Sequence, residues 1–312
     1  MYDLVVTYLD DTKEWREEFN YYKEKEIKEH KQSESNLQAF GEERIRSWNT
    51  FKYLLRGIDK NCKWIRNVYV IMQDERQLPI WLNTDTVKVV YHKDYIKEEL
   101  LPTYNTCEIT MYISNIKGLS DRYLLLADDY YFLNEIPIEM YFIKNLTVQQ
   151  DNQLPPILYN EKYLTGTDGT LYKILNNNFI FEKPLMGKKT KKYNILHLPE
   201  ARDKRIEQII LKNYEEEIDR CFKHSKFRSQ YNLTSQIFVD ILKANELCIF
   251  DRKYDTYKAY CTLKSDVDFS LYEDMKVVCF NDTEQLDDFK KTKEKLITFL
   301  EKMLPDKSKY ER

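Results

Sequence analysis

The chain has 312 residues and a formal net charge of -3, with 42% hydrophobic and 32% charged residues. That balance excludes a disordered chain and gives no general electrostatic attraction to nucleic acid. Six Gly and eight Pro exclude long linkers, and the length suits one large α/β domain with insertions or two compact ones.

Residues 4–9 form a short β-rich run ending on Asp10-Asp11, the profile of a buried first strand. Residues 12–30 are charged, with Trp15, Phe19, Tyr22 and Ile27 near helical spacing. Residues 46–59 repeat apolar side chains at Trp48, Phe51, Leu54, Leu55 and Ile58, a helical stripe. Apolar strands are expected at 68–72 and 87–91, then a helix at 108–116 closed by Gly118. A fourth strand at 123–127 ends on Asp128-Asp129.

Strands alternating with helices predict a mostly parallel sheet flanked by helices. Ligands bind such sheets beyond the carboxyl ends of the strands, where Asp10 and Asp128-Asp129 fall. From 152 to 192 turns and polar residues take over, and helices are expected at 201–224 and 234–244. A late strand, 277–280, ends at Asn281-Asp282 and is expected to return to the main sheet, before a long helix at 285–303. The division is an α/β core at 1–150, an insertion or junction at 151–192, and a helical part at 193–312.

The cysteines at 62, 107, 221, 248, 261 and 279 lack metal or CxxC spacing and read as reduced core thiols. The first residues lack a signal peptide's charged and apolar regions, and no apolar run nears the ~20 residues of a spanning helix. A cytoplasmic protein is expected. The lysine run 188–192 reads as a solvated loop or a patch for an anionic acceptor or membrane surface.

Two carboxylates at a buried strand's end suit Mg²⁺ or Mn²⁺ holding a diphosphate, since hard oxygens bind these ions and leave positions for phosphate. Asn281-Asp282 reads as a helix-capping turn or a second part of that shell. His197, between aliphatic residues, reads as a hydrogen-bonded structural histidine or a base. Arg228 reads as a surface arginine or a planar fork of donors for a phosphoryl group.

These residues lie in stretches that resemble the Stealth family of sugar-phosphate transferases. Region one is matched at 3–11 with Trp15 following. Region two runs from Arg44-Ile-Arg46 through Tyr53-Leu-Leu-Arg56, Leu101-Pro-Thr-Tyr-Asn105 and Gly118-Leu-Ser120 to Asp128-Asp129. The third is matched at His197-Leu-Pro199 and Phe227-Arg-Ser229, and the fourth at Phe280-Asn-Asp-Thr283 and 305–311. Thr50, Thr110 and Ala127 depart from the family's Glu, Glu and Asn, which bears on donor preference and activity.

The resemblance implies a nucleotide-sugar-transferase-like (GT-A-like) fold and transfer of a sugar-1-phosphate from a UDP-sugar to an oligosaccharide or lipid-linked glycan, releasing UMP. It places catalysis at His197 (base), Arg228, Asp128 and Asp129, with metal ligands among Asp128, Asp129, Asn281 and Asp282. Thr7, Tyr8 and Asp10 are expected on the nucleotide, Asn105 on the donor sugar, and Arg56 on phosphoryl oxygens. A capsule or surface-polysaccharide pathway, with peripheral membrane association, is the expected setting. The competing expectations are a glycosyltransferase releasing UDP and an inactive carbohydrate-binding member.

Overall fold

A computed structural model describes residues 2–30, 39–149, 169–186 and 197–312. The turn-rich stretch up to residue 168 and the lysine run 188–192 lie outside the described residues. In chain order the elements begin β1 (Tyr2–Thr7), α1 (Lys13–His30), α2 (Phe51–Asn61), β2 (Ile65–Met72), β3 (Lys88–Tyr91) and α3 (Thr106–Met111). Next come β4 (Arg122–Ala127), β5 (Tyr130–Phe132), β6 (Phe142–Ile143), β7 (Leu146–Gln149), α4 (Gly169–Glu182) and β8 (Glu200–Asp203). The rest are α5 (Lys204–Asn213), α6 (Glu215–Arg220), α7 (Gln236–Ala244), β9 (Ile249–Phe250), β10 (Lys258–Thr262), β11 (Val277–Asn281) and α8 (Phe289–Met303).

The main sheet has the order β3-β2-β1-β4-β8 and is parallel except for β8. Its central strands are apolar on both faces, as a sheet covered on both sides requires. Leu4, Val6, Val70, Leu124 and Leu126 face a core shared with α2 and α8. The alternate residues Val5, Tyr69, Ile71, Tyr123 and Leu125 face one shared with α5 and α7. Each such aliphatic side chain, fully removed from water, stabilises the fold by about 2 kcal/mol.

At Asp128-Asp129 the chain leaves this sheet. β5 pairs antiparallel with β11, and β11 runs parallel to β10, making a second sheet. The late strand therefore does not return to the main sheet; β8 does, against β4. α2 lies close over β5, since a Cβ at Gly57 would stand 2.6 Å from the Phe132 carbonyl oxygen.

Two helix expectations shift. Residues 46–50 are not helical, because Arg46 and Trp48 are tied to Asp282 and Asn49 takes a φ of 57°. Residues 201–203 are strand rather than helix, with Asp203 instead capping α5 by accepting from the Arg205 N–H.

Candidate active site

A cleft of about 660 Å³ opens where the two sheets meet, beyond the carboxyl ends of β1 and β4. Thr7 and Ala127 are register partners at those ends, so the parallel pairing of β1 with β4 sets Tyr8 beside Asp128. Thr7, Tyr8, Asp128, Asp129, His197, Arg228, Asn281 and Asp282 all line this cleft, drawn from segments up to 275 residues apart.

The carboxylates differ in their surroundings. Burial, then the charge of Asp129, pushes the Asp128 carboxyl up to about 7; it accepts one long hydrogen bond, 3.4 Å, from the Leu9 N–H. Asp129 Oδ2 accepts from the Cys279 thiol (3.3 Å) and lies 3.4 Å from His197 Nε2. Its Oδ1 is buried with no hydrogen-bond partner among the described residues. Two adjacent acidic groups with an orphaned oxygen and no cation of their own suit a divalent cation. Cys279 and His197 also come within 4.8 Å of Asp129. The thiol, pushed well up by burial and by Asp129, is a hydrogen-bond donor there rather than a thiolate ligand.

His197 is half-exposed and flanked by Tyr130 and Tyr260, ring centres 5.4 and 5.9 Å away, both near perpendicular. Desolvation lowers its pKa and Asp129, with Glu200, raises it; the net is above the ordinary histidine value. Asp129 beside Nε2 thus favours a proton on that ring nitrogen.

Asp282 is committed elsewhere. Arg46 grips it through Nε (2.6 Å) and a second, shorter contact from Nη2, and Trp48 Nε1 donates at 2.9 Å. The expected metal ligand is an ion-paired staple between residues 46–48 and the end of β11. Asn281 lines the cleft, its amide donating to the Asp282 carbonyl at 2.6 Å.

Three other expected residues are not among those lining the cleft. Arg56 is buried and holds Glu311 through both ends of its guanidinium (3.0 and 3.1 Å) and the carbonyls of Leu304 and Pro305, pinning the 304–311 segment to α2. Asn105 is fully buried: its oxygen caps α3 and its amide donates to Asn232 Oδ1 at 2.9 Å. That same Asn232 oxygen accepts from the Ser229 N–H at 2.7 Å, so Asn105 braces the turn that presents Arg228. Asp10 accepts from the Tyr8 hydroxyl, whose ring stacks on Phe51 at 4.1 Å.

The departures have local accounts. Thr50 accepts from the buried Tyr131 hydroxyl at 2.7 Å. Thr110 donates to the Thr106 carbonyl. Glu108 does not replace the family's acid, since its carboxyl turns into the core and accepts from Thr103 at 2.5 Å. Arg44, not singled out as a functional residue from the sequence, lines the cleft as Arg228 does; desolvation and the Arg228 charge both lower its pKa. The signal was present in Arg44-Ile-Arg46, but its partner in charge lay far along the chain.

Residues 44–150 match the Stealth protein CR2, conserved region 2. The capsular polysaccharide phosphotransferase WcwK of Streptococcus pneumoniae is 29% identical over 304 residues, covering 87% of this chain and 88% of the relative. The capsular polysaccharide phosphotransferase eps5J of Streptococcus thermophilus is 34% identical over 102 residues, 32% of this chain and 42% of the relative. The exopolysaccharide phosphotransferase cps2G of Lactiplantibacillus plantarum is 30% identical over 138 residues, 44% and 40% of the two chains. Conserved region 2 of Stealth proteins thus matches the run from Arg44 through Asp128-Asp129 to residue 150, and over most of its length the chain is similar to a capsular polysaccharide phosphotransferase.

Proposed function

We propose that this chain is a sugar-1-phosphate transferase: it moves hexose-1-phosphate or N-acetylhexosamine-1-phosphate from a UDP-sugar to a glycan hydroxyl, in capsule or surface-polysaccharide synthesis. The observation that carries it is the convergence of a histidine–carboxylate pair, a second carboxylate and two arginines in one cleft. That set serves phosphoryl transfer, where positioning and charge neutralisation supply most of the rate. The relatives, named as capsular and exopolysaccharide phosphotransferases, support the same class.

His197 accepts the acceptor hydroxyl's proton at Nδ1 while Asp129 steadies the opposite ring nitrogen. The freed oxygen forms a bond to the phosphorus nearer the donor sugar. The bond from that phosphorus to the bridging oxygen breaks, and its electron pair leaves with UMP. Arg228 and Arg44 oppose the charge on the phosphoryl oxygens. Asp128 and Asp129 would hold Mg²⁺ or Mn²⁺, with Asn281 in support; such an ion, when bound, neutralises the diphosphate. Thr7 and Tyr8 are read as facing the nucleotide, and the sheet as GT-A-like, because the cleft lies at its carboxyl edge.

No helix among the described residues is long and apolar enough to cross a membrane, which accords with a cytoplasmic enzyme reaching a lipid-linked acceptor at the membrane face. The test is the nucleotide released from a set of UDP-hexoses and UDP-N-acetylhexosamines with Mg²⁺ or Mn²⁺ and a glycan acceptor. UMP is expected. UDP would make the chain a glycosyltransferase, and no nucleotide with any donor would make it a binding protein.

A further inference from the structure

Along β10 the side chains alternate: Cys261 is buried, while Tyr260 stands 50% exposed although it lines the cleft. Among the described residues β10 is an edge strand of the second sheet, with no neighbour strand on its far side. The ring next to it among the described residues is His197, met edge-on at 82°, and at least one broad face of the tyrosine carries no described ring. Leu171 of α4 lines the same cleft and is 52% exposed. Two half-exposed apolar side chains thus line the cleft that also holds the carboxylates and arginines.

We infer that Tyr260, with Leu171 beside the cleft mouth, is the acceptor subsite, taking the apolar C–H face of a pyranose ring. This rests on the proposed reaction, in which the acceptor must lie against His197. A nucleoside diphosphate is recognised by charge, which the carboxylates and arginines supply. A neutral sugar offers hydroxyls at its edge and C–H bonds on its face, which a flat aromatic side chain covers at little cost in conformational freedom. A ring stacked on Tyr260 brings its edge hydroxyls toward the imidazole, whose centre is 5.9 Å from that of the tyrosine.

The test uses the full chain as wild type, Tyr260→Ala, Tyr260→Trp and Leu171→Ala, with folding checked by circular dichroism. The probes are the methyl β-glycosides of glucose, galactose and N-acetylglucosamine, followed by saturation-transfer NMR and by their stimulation of nucleotide release from UDP-hexoses. Wild type should transfer saturation to the C–H protons of one sugar face. Tyr260→Ala should abolish that transfer, raise acceptor half-saturation about tenfold and move donor half-saturation less than twofold; Tyr260→Trp should restore binding. The inference is overturned if no glycoside receives saturation from wild type, if Tyr260→Ala binds equally, or if the loss falls on the donor. Glycoside contact through Tyr260 together with release of UDP would retire the reaction and leave the subsite standing.

Discussion

At the scale of the residue, the informative pair is His197 and Asp129. The imidazole is half-exposed, so removing it leaves no core cavity, and His197→Ala should fold as the wild type does. Its rate should fall about a hundredfold or more, the usual worth of a general base. Single-turnover nucleotide release, with donor affinity measured separately, checks this; near-wild-type turnover would remove the histidine from the chemistry. Asp128-Asp129 stood out because strand periodicity, strand-end position and family resemblance pointed to it, and His197 because of the resemblance alone; the fold brings all three into one cleft. Arg56 and Asn105 were not, because a guanidinium or amide shows its role only with its partner. Those partners, Glu311 and Asn232, lie 255 and 127 residues away. Tyr260 belongs to no motif, and an exposed tyrosine on an edge strand has no signature in one sequence.

At the scale of the element, the staple between residues 46–48 and the end of β11 decides how the cleft wall is held. The Asp282 side chain is 9% exposed, so deleting Arg46 leaves a nearly buried carboxylate without its cation, held only by the Trp48 indole and the Thr283 N–H. Arg46→Ala should destabilise the fold by about 2 kcal/mol, and Arg46→Lys should recover only part because it lacks the two-pronged geometry. Urea unfolding midpoints measure both. Asp282→Asn should likewise lose stability yet keep the Mg²⁺ concentration for half-maximal activity; a large rise in that concentration would restore Asp282 to the metal shell. The elements themselves were readable wherever apolar runs met turns, as in β1, β2 and β4. β8 was misread because its four residues are Glu, Ala, Arg and Asp. There Arg202 is fully buried because Glu207 meets its Nε at 2.6 Å and Glu200 its Nη1 at 2.8 Å, pairings that composition hides.

At the scale of the whole molecule, buried titratable groups set how stability follows pH; Asp128, pushed up to about 7, makes stability fall as pH rises, as Glu108 does. Burial raises the Glu108 carboxyl to about 8, against relief from Thr103 and Lys226. Between about 4.5 and 8 the folded chain keeps a proton there that the unfolded chain releases, so stability falls as pH rises through that window. The loss is on the order of 3 kcal/mol, and Glu108→Gln should flatten it. Burial also lowers His92 to about 4. Between about 6.5 and 4 the unfolded chain gains a proton that the folded chain refuses, so stability falls again as pH drops. The two windows overlap from about 4.5 to 6.5, where His92 offsets Glu108, so unfolding free energies should decline clearly between about pH 6.5 and 8, and that decline should weaken in Glu108→Gln.

The chain steps from its first sheet to its second through two residues, Asp128 and Asp129, with Ala127 the last of one strand and Tyr130 the first of the next. Mechanically these residues are the axle between two plates. Gly57 brings α2 down on the second plate at Phe132, and the Arg46 staple grips that same plate at the end of β11. A change of angle between the plates is therefore, first of all, a change in where the two carboxylates point. Substitutions as far from the cleft as Gly57→Ala should be felt as altered alignment of Asp129 with His197 before they are felt as unfolding.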